Sequence, residues 1–177
     1  DLFRFDTAFD QGFYGRHGLG ATTYFNTKHF GRDTVVQHPF CNYYNYIEGL
    51  PGAAVPDEQA VAATPISAEG KAQLLRVLKG GVHLLKVPAE ELEAYLYSHN
   101  YFDYLKHTLG VNDPGVLRMA RHSGIDWSNA GTELLSIGEA QECGALGFAP
   151  AAVYDAEHPY IHHFPDGNAG VARTLVQ

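Results

Sequence analysis

The run His158-Pro159-Tyr160-Ile161-His162-His163-Phe164-Pro165-Asp166-Gly167-Asn168 holds the densest set of chemically competent side chains in the chain. Three histidines and an aspartate are the ligand types of a metal-dependent hydrolase. The spacing works against that chemistry. In an extended segment alternate side chains point to opposite faces, so His162 and His163 diverge. His158 and His162 share a face but lie roughly 13 Å apart, too far to grip one ion. Core or hydrogen-bonded histidines account for the same residues, and no metal is expected here. The turn that follows suits a different task. Asn168 is a good N-cap, and Gly167, Ala169 and Gly170 are small enough for a ligand to approach the backbone. The open amides of a first helical turn, together with the helix dipole, favour partial negative charge. An ordinary strand–turn–helix junction would use the same residues.

The elements that must carry these groups can be read along the chain. Thr22-Thr23-Tyr24-Phe25 and Thr34-Val35-Val36 look like short strands around a turn at Asn26-Thr27-Lys28. The glycines of Gly15-Arg16-His17-Gly18-Leu19-Gly20 mark a turn-rich stretch and do not form the G-x-G-x-x-G pattern. Residues 49–65 read as a surface loop with one helical turn. Ser67 can cap a helix with Leu74, Leu75 and Leu78 at helical spacing, ended by Gly80-Gly81. Pro88 suits the first turn of a helix running to Leu96, with Glu90 and Glu91 at the favourable end of its dipole. Tyr101 to His107 forms another helix stopped at Gly110, and Asp113-Pro114 starts one reaching Arg121 or His122. Ser136-Ile137-Gly138-Glu139 is a capping box that starts a helix toward Gly144. Tyr160 to Phe164 is expected to be extended before the last helix.

Composition narrows the possibilities. The 177 residues can bury a core, and 45% hydrophobic with 18% charged residues fits a soluble globular protein. A net charge of −8 argues against nucleic acid and is compatible with a cationic small molecule. No apolar run reaches the roughly 20 residues of a membrane span. Cys41 and Cys143 form no C-x-x-C pair and read as ordinary thiols, with one isolated disulfide as the alternative. The start at Asp1 without Met and the helical pattern running to Gln177 lead to the expectation of an internal segment of a longer enzyme.

The segment Tyr160 to Val176, YIHHFPDGNAGVARTLV, resembles a signature of bacterial FAD-dependent oxidoreductases of the spermidine dehydrogenase-like family. FDTAFDQGFY from Phe5, YFNTKHFGRDTVV from Tyr24, NYFDYLKHTLGV from Asn100 and ELLSIGEAQECGALGF from Glu133 resemble further family stretches in the expected order. The likeness covers most of the chain and is poorest over 40–66. It implies a flavoprotein with a Rossmann-like FAD domain that oxidises C–N bonds of polyamine-like amines. The dinucleotide fingerprint is absent from the chain; the resemblance places it before Asp1, with more of the FAD domain beyond Gln177.

On that basis the fold class is α+β, mainly helical, a substrate-side fragment of a larger FAD-binding protein. Residues 1–40 would follow the first FAD-binding portion, 41–66 would be a connector loop, 67–157 a helical substrate-side region, and 158–177 a strand–turn–helix leading back to the FAD domain. His163, Asp166, Gly167, Asn168, Ala169 and Gly170 would lie against the cofactor, where a helix N-terminus stabilises the charge gained on flavin reduction. Trp127, Glu133 and His162 would contribute to an amine pocket, for which carboxylates and aromatic faces are the natural lining. Asp126 and Glu139 flank the same region, although capping already explains Glu139. Tyr43, Tyr44, Tyr46, Tyr95, Tyr97, Tyr101 and Tyr104 are further aromatic candidates, with core packing as the plainer role. His99, His107 and His122 read as surface or cap residues. No residue is assigned to catalysis. FAD is expected in the intact parent and not in the isolated chain, whose partners would be the amine and the rest of the parent polypeptide. The bacterial cytoplasm and periplasm both remain open. The rival functions are a metal-dependent hydrolase built on 158–168 and a non-catalytic interaction module.

Overall fold

A computed structural model describes residues 12–41, 55–122, 129–148 and 167–176. Helices dominate, with one small antiparallel sheet, in agreement with an α+β, mainly helical chain.

The N-terminal part begins with a short helix α1 (Gly12–Arg16) and a turn through Gly18. Strands β1 (Thr23–Phe25) and β2 (Thr34–Val36) then pair antiparallel, with Tyr24 opposite Val35. Alternation sends Phe25 and Val36 into the core and leaves Tyr24 and Val35 exposed. The expected turn at Asn26-Thr27-Lys28 is instead a four-residue helix, α2 (Thr27–Phe30), because the Asn26 side chain accepts the His29 amide and caps it. Phe25 packs edge-on against Phe30 and Phe40. Arg118, from a later helix, donates to the His29 carbonyl and sits over the Phe30 ring, which pins this unit to the helical part.

His38 makes a second clasp. The Phe40 amide donates to Nδ1 at 2.9 Å, so the ring proton resides on Nε2, which donates to Asp57 Oδ1 at 3.0 Å. Asp57 opens α3 (Asp57–Ala63), longer than the one helical turn expected within the 49–65 loop. Pro56 fixes the residue before the helix, Asp57 and Glu58 complement its dipole, and Ala60 and Val61 are buried, which gives the helix a reason to persist.

Ser67 caps α4 (Ala68–Leu78) through the Gly70 amide, as its position predicts. Leu74 and Val77 are fully buried, with Leu75 and Leu78 packed beside them. Just before them comes Gln73, a buried polar side chain. Its Oε1 accepts the Asn112 and Asp113 amides, and its Nε2 donates to Glu69 and Asn112, so burial leaves it satisfied. Asp113 completes the junction: Oδ2 accepts from the Ser67 hydroxyl at 2.6 Å, and Oδ1 from the Gly115 and Val116 amides at the start of the helix that begins at Pro114.

After a 3₁₀ turn (Val82–Leu84), Pro88 leads into α5 (Ala89–Ser98). The helix expected over 101–107 is α6 (Tyr101–Asp103), widening into a π turn (Tyr104–Thr108) that ends before Gly110. The Leu109 amide reaches back to the Tyr104 carbonyl, the long step of a π helix. Helix α7 (Pro114–His122) follows, and α8 (Ile137–Glu142) starts at the Ser136–Glu139 capping box. Asn100 ties these pieces: its Oδ1 caps α6, its Nδ2 donates to the Glu133 carbonyl, and its backbone bridges Ser136. Tyr101, whose hydroxyl donates to the Leu146 carbonyl at 2.5 Å, packs with Tyr104 and Phe148 at the centre. The last described element is α9 (Asn168–Leu175). Cys41 and Cys143 are not joined by a disulfide.

Candidate functional site at the head of the last helix

Of the residues expected against a cofactor, Gly167, Asn168, Ala169 and Gly170 are described, and they form one turn at the start of α9. His162, His163, Asp166 and Trp127 lie outside the described residues, as do Asp126, Tyr43, Tyr44 and Tyr46. Asn168 was expected as the N-cap. Instead Gly167 takes that place and Asn168 becomes the first helical residue. The reason is conformational: Gly167 has φ 65° and ψ −158°, a region open essentially to glycine alone, so the chain enters the helix one residue early.

That conformation has a spatial consequence. Among the described residues, none comes within 4 Å of a Cβ placed at Gly167. Gly170 donates to the Gly167 carbonyl at 3.1 Å, and the Thr174 hydroxyl to the Gly170 carbonyl at 2.9 Å. The amides of Asn168 and Ala169 precede any intrahelical acceptor, as in every first helical turn. Gly167 and Gly170 are half-buried, whereas Asn168 and Ala169 are exposed. Further along, Val171, Leu175 and Val176 are exposed, Leu175 to 81%. The turn can therefore present donors and helix-dipole charge to an acceptor group, with no described side chain against Gly167.

Glu133 is placed elsewhere. Its carboxylate lies 3.8 Å from the Arg121 guanidinium and accepts from the Thr132 hydroxyl at 3.2 Å. An arginine already beside it makes Glu133 a weaker partner for a cationic amine than its sequence position suggested. Glu139 is committed to capping: the Ser136 amide and hydroxyl donate to it at 2.9 and 2.8 Å and hold its carboxyl below the usual range.

The arrangement that sequence reasoning did not assemble is where α5 faces α8. The Tyr97 hydroxyl donates to Glu142, and its ring lies against the Gly138 backbone, where a Cβ would come within 2.9 Å. That bond, with the charges of Glu142, Glu93 and Glu139, pushes the Tyr97 phenol up. Glu142 is thus bonded to a half-exposed aromatic ring, and Glu93 and Glu139 add to the negative field there, a surface that attracts cations. The signal was present as Gly138 and the glutamate spacing, but only the packing of two helices brings Tyr97 to Gly138 and Glu142.

Four other histidines make local contacts. His99 stacks on Tyr95 at 3.6 Å and bonds the Tyr95 carbonyl, His107 pairs loosely with Asp103, and His122 stacks on His29. Among the described residues no group of three or more His, Cys, Asp or Glu could hold a metal ion, and no helix is long and apolar enough to cross a membrane. No protein-family model matches the chain, and no curated protein matches it.

Proposed function

We propose that the chain is the substrate-side segment of an FAD-dependent oxidoreductase that oxidises C–N bonds of polyamine-like amines, with the turn at 166–170 set against the cofactor. The observation that carries this proposal is Gly167. It stands in the Tyr160–Val176 stretch that resembles the flavoprotein signature, and its backbone takes a glycine-only conformation with none of the described residues where a side chain would be. A ligand needing close approach to helix N-terminal amides is the simplest use of such a residue. When bound, FAD would accept the hydride from the carbon next to the amine nitrogen. This chain's part is positional: the α9 head would donate to the ring edge that gains charge, and the acidic face around Tyr97 would draw a cationic amine. Residues 158–166, which would decide the rival metal-dependent hydrolase, lie outside the described residues.

The 177-residue chain, purified alone, is expected to be colourless and to turn over no amine. Flavin absorbance stoichiometric with this chain would overturn the assignment to the substrate side. Stoichiometric Zn, Mn or Fe on the same material would favour the hydrolase instead.

A further inference from the structure

Tyr104 is 2% exposed and its ring stacks on Phe148 with centroids 5.3 Å apart. Its hydroxyl is the one buried side-chain polar atom among the described residues with no hydrogen-bond partner. Burial pushes this phenol up to about 12; the adjacent Gly81 amide opposes that slightly without reaching hydrogen-bond geometry. Gly81 is the lid. A Cβ there would stand 3.1 Å from the Tyr104 oxygen and overlap Leu109 Cδ2. On the other side Leu109 meets Gly147, where a Cβ would come within 3.1 Å of Cδ1, so two backbones close over one leucine.

The covering segment is lightly held. Gly80, at φ 73°, and Gly81 form a two-glycine hinge, and beyond it the 3₁₀ turn is closed by the Leu84 amide on the Gly81 carbonyl (2.9 Å) and the Leu85 amide on the Val82 carbonyl (3.0 Å). His83, Leu84 and Lys86 are exposed, while Val82 and Leu85 are half-buried. A buried hydroxyl without a partner is penalised, and water removes the penalty. The closed segment therefore carries a cost that lifting Gly81 alone would relieve.

We infer that residues 80–86 form a strap that opens independently of the core, hinged at Gly80-Gly81, and that opening hydrates the Tyr104 hydroxyl and uncovers Leu109. The core beneath, including Val77 and Val111, stays folded in the open form. Amide hydrogen exchange on the full chain tests this. In the wild type the Leu84 and Leu85 amides should exchange well ahead of Val77, which reports global unfolding. Tyr104→Phe removes the unpaired group and should slow Leu84 and Leu85 roughly ten-fold. Gly81→Ala should speed them while Val77 stays protected, because the added methyl cannot share space with Leu109. Leu84 and Leu85 exchanging at the rate of Val77 in the wild type would overturn the inference. So would rates unchanged by Tyr104→Phe.

Discussion

Gly70→Ala sets two opposed effects against each other at the α4–α7 junction. Helix propensity alone predicts stabilisation of up to about 1 kcal/mol, since Gly70 lies in the first turn of α4. The structure predicts the reverse. A Cβ at position 70 would come within 2.6 Å of Asp113 Cγ and Oδ1 and 2.9 Å of Oδ2. Asp113 is buried and holds three bonds: the Ser67 hydroxyl at 2.6 Å and the Gly115 and Val116 amides at 2.8 and 3.1 Å. Displacing it uncaps α7, costing about 0.5–2 kcal/mol. It also weakens a charge-assisted bond worth about 1.5–3 kcal/mol. After the propensity gain, net destabilisation should be on the order of 1–4 kcal/mol. For a chain of this size that lowers the Tm by several degrees, measured by circular dichroism and urea unfolding. The double-mutant cycle sharpens the test. In an Asp113→Ala background the obstruction is gone, so Gly70→Ala should become neutral or stabilising. A stabilising Gly70→Ala in the wild-type background would refute the packing described here.

Other consequences follow from the same contacts. In the native state Tyr104 has its phenol raised from 10.0 to about 12, so the unfolded chain releases that proton first. Its contribution to stability is complete below pH 10 and is lost as pH climbs from 10 through about 12, so Tyr104→Phe should make the alkaline fall in stability shallower. Glu139 is held below its usual carboxyl range by the Ser136 amide. Its contribution is therefore present above pH 4.5 and fades as pH drops, and Ser136→Ala should cost about 1 kcal/mol in thermal unfolding at pH 7. Gly138→Val should push the Tyr97 ring from its seat and separate α5 from α8, seen as loss of near-ultraviolet dichroism.

Local chemistry made much of the fold legible. Ser67, the Ser136–Glu139 box and Asp113-Pro114 announce helix starts through side chains that satisfy their own backbone, and the structure uses each of them. The alternation of Phe25 and Val36 with Tyr24 and Val35 likewise fixes the small sheet. The misses arise where distant contacts decide. Residues 57–63 form a helix because Ala60 and Val61 find a core, and its first residue takes a bond from His38. The π turn at Tyr104–Thr108 has no local signature. Gln73, polar on an otherwise apolar helix face, is buried because amides nearly forty positions away complete it. For the candidate site, glycine at 167 was readable as a turn. Its conformation, which moves the cap from Asn168 to Gly167, was not. Glu133 shows the opposite limit: its charge was visible, but its neighbour Arg121 was set by folding.

The central claim concerns a flavin, and its most direct measurement is the visible spectrum of the protein expressed from the whole reading frame that encodes this chain. The proposal predicts stoichiometric FAD that bleaches when a polyamine is added without oxygen, and a lower flavin content in Gly167→Val. A whole protein with no flavin, or one whose flavin no amine reduces, would contradict it.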